Sequence, residues 1–163
     1  MKRISVLTIL LFGMISVACA GNNGNLPAIS TDAGNANLTL PKGFSATVVA
    51  DGYGKVRHIA VTSTGGVYVK LNKLYNGKGI LYFKPNAAGK LEMVNSFGNY
   101  IGTGIYVKNG YLYASSDEEV FRYKLNDKED VINPDQPEKI VTGLLNRHQH
   151  ESKSIVLDNE GNL

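Results

Sequence analysis

The chain has 163 residues, 43% of them hydrophobic, with 18 glycines, nine tyrosines and no tryptophan, which excludes a disordered chain and suits one β-rich globular domain. Its formal charge of +3 shrinks to 15 basic against 14 acidic residues once Lys2 and Arg3 leave with the N-terminal segment, so charge makes no case for nucleic acid or an acidic partner. The single cysteine excludes an internal disulfide and leaves packing to hold the fold.

In chain order, Met1-Lys2-Arg3 is a short basic region, and an almost unbroken apolar run from Ile4 to Ala18 follows it. Such a pattern is an export signal, and the run is short for a membrane span. Two processing outcomes compete at its end. Ser16-Val17-Ala18-Cys19 resembles a bacterial lipobox, in which Cys19 would be acylated and anchor a periplasmic or outer-membrane lipoprotein. Ala18-Cys19-Ala20 instead fits the small-x-small site of ordinary signal peptidase, giving a soluble periplasmic or secreted protein. Residues 1–19 are thus expected to be the signal, residues 20–37 a Gly/Asn/Ala-rich tether, and residues 38–163 the folded domain.

Beyond residue 38 the sequence is a series of short Val, Ile, Tyr and Phe runs separated by Gly, Asn and Asp. Strands are predicted over Ser45–Ala50, Arg57–Val61, Val67–Leu71, Ile80–Lys84, Leu91–Phe97, Gly104–Val107, Tyr111–Ser115, Val120–Leu125, Glu138–Thr142 and Ser154–Leu157. Asn109-Gly110 is a hairpin signal because both positions tolerate positive φ, and Gly65-Gly66 and Glu160-Gly161-Asn162 play similar parts.

The hairpins repeat. Apolar triplets at Ile59-Ala60-Val61, Ile105-Tyr106-Val107 and Ile155-Val156-Leu157 begin 46 and then 50 residues apart, and each is followed by a Gly-containing turn and a second apolar run. Each interval holds about four strands, the spacing of propeller blades. The expected fold is all-β, with two four-stranded antiparallel blades and the opening of a third. A closed propeller needs four to eight blades, so the sequence is expected to be the N-terminal part of a longer protein. A small complete β-sandwich is the alternative.

The densest polar cluster, Asn146-Arg147-His148-Gln149-His150-Glu151-Ser152-Lys153, precedes the third repeat's first strand. A loop entering an innermost strand opens onto one end of a propeller's channel. A histidine there could accept a proton near neutral pH, with Glu151 orienting its ring. The same residues could form a solvated turn, or His148 and His150 a His-x-His metal pair, although no further Cys/His cluster completes such a site. His58, on a predicted strand, is expected to be a packing or hydrogen-bonding residue.

Leu40-Pro41-Lys42-Gly43-Phe44, Arg57-His58-Ile59-Ala60-Val61 and Gly65-Gly66-Val67-Tyr68-Val69 are followed by Val120-Phe121-Arg122-Tyr123, then Lys139-Ile140-Val141-Thr142-Gly143-Leu144 and His150-Glu151-Ser152-Lys153-Ser154-Ile155-Val156-Leu157-Asp158. In that order these segments resemble the PQQ-dependent glucose/sorbosone dehydrogenases. The resemblance implies a six-bladed propeller with PQQ and a calcium ion on its channel face. It also implies a sugar substrate, a c-type cytochrome as electron acceptor, and a general base that falls on His150, or on His148 if the loop is shifted. Around Tyr100-Ile101-Gly102-Thr103-Gly104 the chain lacks the Gln of the soluble glucose enzymes, and Ser154 stands where Arg is common, which favours a sorbosone-like or uncharacterised branch. Most cofactor and calcium contacts in that family come from later blades, so this stretch alone is expected to be inactive. The competing functions are a non-catalytic propeller binding carbohydrate or protein at the cell surface, and a lactonase-like metal hydrolase.

Overall fold

A computed structural model describes residues 34–146, 148 and 153–163. The export signal with Cys19, most of the expected tether, and His150 with Glu151 lie outside the described residues. Apart from a 3-10 turn at Asn35–Asn37, the regular structure is eight strands: β1 (Val56–Val61), β2 (Val67–Tyr75), β3 (Lys78–Pro85), β4 (Leu91–Phe97), β5 (Ile105–Lys108), β6 (Tyr111–Ser115), β7 (Val120–Lys124) and β8 (Glu138–Val141). They form two four-stranded sheets, β1-β2-β3-β4 and β5-β6-β7-β8, antiparallel throughout. This is the predicted pair of blades, each a meander whose spatial order is its chain order.

The first sheet alternates in the way a strand's period of two requires. Tyr68, Lys70, Ile80 and Tyr82 point toward the second sheet, whereas Val69, Leu71, Leu81 and Phe83 point away, and all eight are buried. Strands covered on both faces need near-continuous apolar sequence, which Gly79-Ile80-Leu81-Tyr82-Phe83 supplies. In the edge strand β4, by contrast, only Phe97 is fully buried.

Between the sheets lies the main core, where Tyr68, Ile80, Tyr82 and Phe97 meet Ile105, Leu112, Ala114 and Tyr123. Its centre is aromatic: Tyr68 stacks on Tyr82 at 4.0 Å, and Phe97 meets Tyr123 edge-on at 5.0 Å. At the end of the sheets holding the β1–β2 turn, the β7–β8 loop reaches back to the first blade. The Glu129 carboxylate accepts from Ser63 Oγ (2.8 Å) and the Thr64 N–H (3.0 Å), while Tyr68 Oη donates to the Glu129 carbonyl (2.6 Å). Burial alone would raise the Glu129 carboxyl, but the bonds from Ser63 and Thr64 outweigh it and hold its pKa below the usual value.

Two predicted strands are not formed. Ser45–Ala50 gives the Val49 carbonyl to the Leu91 N–H (3.0 Å) and the Val48 carbonyl to Lys90 Nζ (2.7 Å), yet builds no ladder. Its β-branched residues instead run beside the outward face of the first sheet, where Val49, Ala50 and Tyr53 border an apolar recess with Ile59, Val67 and Phe83. Ser154–Leu157 is likewise not a strand, since no row of main-chain bonds holds it. Side chains hold it instead: Lys108 Nζ donates to the Leu157 (3.2 Å) and Asp158 (2.6 Å) carbonyls, and Leu157 is buried. The expected turn beyond it does form, through Asp158 N–H to the Asn162 carbonyl (3.0 Å).

Candidate functional site

The end of β2 and β4, the start of β5 and β7 and the end of β8 all lie at one end of the sheets, as the antiparallel registers require. The β4–β5 connector (residues 98–104), the β6–β7 turn and the segment after β8 therefore share that end. A cleft of about 730 Å³ opens between the two blades there, lined by Asn72, Lys73, Asn99, Tyr100, Asp117 and Asn146 among others. Main-chain bonds shape its β6–β7 wall: Ser116 Oγ accepts from the Glu119 N–H (3.0 Å), and the Glu118 carbonyl accepts from the Leu144 N–H (2.9 Å).

The connector is fixed from three sides. On the first sheet, the paired residues His58 and Lys70 share one face, and each meets a connector carbonyl: His58 Nδ1 lies 3.2 Å from Thr103 O, and Lys70 Nζ 2.8 Å from Tyr100 O. Toward the second sheet, Tyr100 stacks on Phe121 at 4.4 Å and its hydroxyl pairs with that of Tyr123 at 2.9 Å. Burial pushes the Tyr100 phenol well above its usual pKa, and Tyr123 reinforces the shift, so this hydroxyl stays protonated. At the connector's end, buried Ser115 Oγ accepts the Gly104 N–H (2.9 Å) and donates to the Lys153 carbonyl (2.6 Å). That last bond ties the strand entry to the chain just beyond the histidine segment.

Of the residues singled out in the sequence, His148 is exposed at this end, beside the cleft residue Asn146, whose Oδ1 accepts the His148 N–H at 3.0 Å. With φ at +54°, the chain turns sharply at His148. His58 makes the hydrogen bond expected of it but is exposed rather than packed. Lys70, Tyr100, Asn72 and Asp117 were not anticipated. The available signal was a lysine at an inward position of a strand, two residues after Tyr68.

Asn72 and Asp117 line the cleft, and Oδ1 of each is buried without a hydrogen-bond partner among the described residues. No group of three or more His, Cys, Asp or Glu suited to a metal occurs among the described residues, and the expected calcium finds no ligand set there. Among the described residues Lys73 is the one basic residue lining the cleft, against the carboxylates of Asp117, Glu118 and Glu119, so the groups that would hold an anionic quinone are not assembled in this cleft.

The TrAA12-like family model matches residues 38–162. The holo PQQ domain of pyranose dehydrogenase from Coprinopsis cinerea is similar in structure, with a TM-score of 0.60 at 19% identity over 76% of this chain and 29% of that one. A calcium structure of a Trichoderma reesei carbohydrate-active enzyme of family AA12 gives 0.57 at 21% identity, over 84% of this chain and 34% of that one. The chain thus spans about a third or less of either protein, and these likenesses establish a shared propeller fold. No curated protein sequence matches the chain. The chain belongs to the TrAA12-like family.

Proposed function

We propose that the chain is the N-terminal part of an exported, PQQ-dependent sugar dehydrogenase of the glucose/sorbosone kind. The observation that carries the coarser reading, a sugar-oxidising quinoprotein, is the family match over residues 38–162, to which the two-blade fold adds. PQQ, when bound, would supply an electrophilic quinone as the hydride acceptor, and calcium would supply a Lewis acid.

The chain's own residues serve the other half of the reaction. The His150 imidazole removes the O–H proton of the sugar as the C–H bond breaks, and Glu151 orients the ring; His148 is the substitute if the loop is displaced. Ser115, bound to the Lys153 carbonyl, anchors the segment that carries the base. Asn72, Asp117 and Asn146 in the cleft suit sugar hydroxyls. Electrons pass on to a carrier such as a c-type cytochrome, in the periplasm or at the outer membrane, where acylated Cys19 would tether the protein.

Dye-linked oxidation of a panel of sugars by the full-length protein reconstituted with PQQ and calcium tests the reading. Activity should fall by at least about a hundredfold in His150→Ala, the usual contribution of a general base. A protein that binds no PQQ and oxidises no sugar in a His150-dependent way would instead be a carbohydrate- or protein-binding propeller.

A further inference from the structure

Lys70 is fully buried in the face between the blades, a position at which its strand neighbours Tyr68 and Ile80 are core residues. A lysine there is costly, because removing an ammonium from water is repaid only by good partners, and an apolar side chain of similar length would fill the space without that penalty. Its partners are few and specific. Lys70 Nζ donates to the Tyr100 carbonyl at 2.8 Å and lies 3.9 Å from the centre of the Tyr100 ring. The same carbonyl also packs against Gly79, where any Cβ would collide with it. The carbonyl is therefore held against both a glycine and the Lys70 amine, and the residue that carries it lines the cleft.

We propose that Lys70 is a positioning residue: by holding the Tyr100 carbonyl it seats the β4–β5 connector as the wall of the inter-blade cleft, and protonation of its amine loosens that seat. The ionisable groups facing it are His58 on β1, Tyr100 on the connector and Asp117 on the β6–β7 turn, while β3 and β5 present the apolar Ile80 and Ile105. Burial lowers the Lys70 pKa to about 7, against a smaller opposing pull from Asp117. When the connector lifts and the amine meets water, its affinity for protons returns toward the ordinary value near 10.4. The open form then binds more protons than the seated one between about pH 7 and pH 10. The seat accordingly tightens as pH rises above 7 and is at its weakest below 7.

Hydrogen exchange of the peptide spanning 98–104, corrected for intrinsic rates and followed from pH 6 to 9, reads this directly and needs no ligand, so its outcome is separate from that of the dehydrogenase reading. Protection in the unmodified chain should rise above pH 7 by up to about tenfold per pH unit, the limit for one linked proton. Lys70→Gln, which keeps an N–H donor without the charge, should give protection that does not vary with pH. Lys70→Met, lacking a donor for the Tyr100 carbonyl, should exchange faster in this peptide at pH 9 while its urea midpoint stays the same or rises. His58→Asn should leave the pH response in place. Flat protection in the unmodified chain, a response that survives in Lys70→Gln, or one that vanishes in His58→Asn would overturn the proposal.

Discussion

The two blades share a strand order but are stabilised differently. The outward face of the first sheet is hydrocarbon and aromatic, with Val69, Leu71, Leu81 and Phe83 buried beneath Tyr53 and Leu91. The corresponding face of the second carries buried Val120 and Tyr113 together with Ser115 and Arg122, and the last two act through directed contacts: Ser115 to Gly104 and Lys153, and Arg122 to Glu138 and the Tyr111 ring. The first sheet is therefore held by area, which is insensitive to small shifts. The second depends more on geometry, and through Ser115 it fixes the end of the connector and the Lys153 segment, while Lys70 of the first sheet holds the Tyr100 carbonyl.

Four substitutions sharpen this contrast. The largest effect is expected from Phe97→Ala, which empties the centre of the inter-sheet core and should cost about 3–5 kcal/mol in urea denaturation. Phe83→Ala should cost a similar amount but speed hydrogen exchange only in β2 and β3, whereas Phe97→Ala should speed it in both sheets. Equal patterns would mean that the two faces are not separable. Next, Ser115→Ala leaves the Gly104 N–H and the Lys153 carbonyl without their partner, at about 1–3 kcal/mol, with exchange rising at 104–105 and 153–157. Smallest is Glu138→Gln, which removes an exposed ion pair with Arg122 and should shift the urea midpoint by less than about 1 kcal/mol, and less still in high salt.

The blade architecture was legible because its signals are local. Repeating apolar triplets and Gly turns place β1, β5 and the hairpins that follow them, and Asn109-Gly110 takes the positive φ values its hairpin needs. Asn76-Gly77 carries the same signal and the same geometry at the β2–β3 turn. The failures at Ser45–Ala50 and Ser154–Leu157 have a different cause. Strand propensity describes a segment, whereas a strand exists only where a neighbour offers a ladder, and no local pattern reports that neighbour. The cleft was hidden for a related reason. Asn72, Tyr100, Asp117 and Asn146 are spread over 75 positions of the chain and meet only because antiparallel registers bring the loops to one end. His148 was legible as chemistry, and the geometry adds the Asn146 bond that sets its main chain.

The meander order of the strands also bears on how the protein reaches its native state. Among the described residues every hydrogen-bonded strand pair joins sequence neighbours, so neither of the two sheets has to wait for a distant segment. Low sequence separation favours fast pairing, and a ribosome releases residues slowly compared with hairpin closure. The first sheet, complete by Phe97, can assemble during synthesis and offer its Tyr68, Ile80 and Tyr82 face as a template on which the second sheet docks.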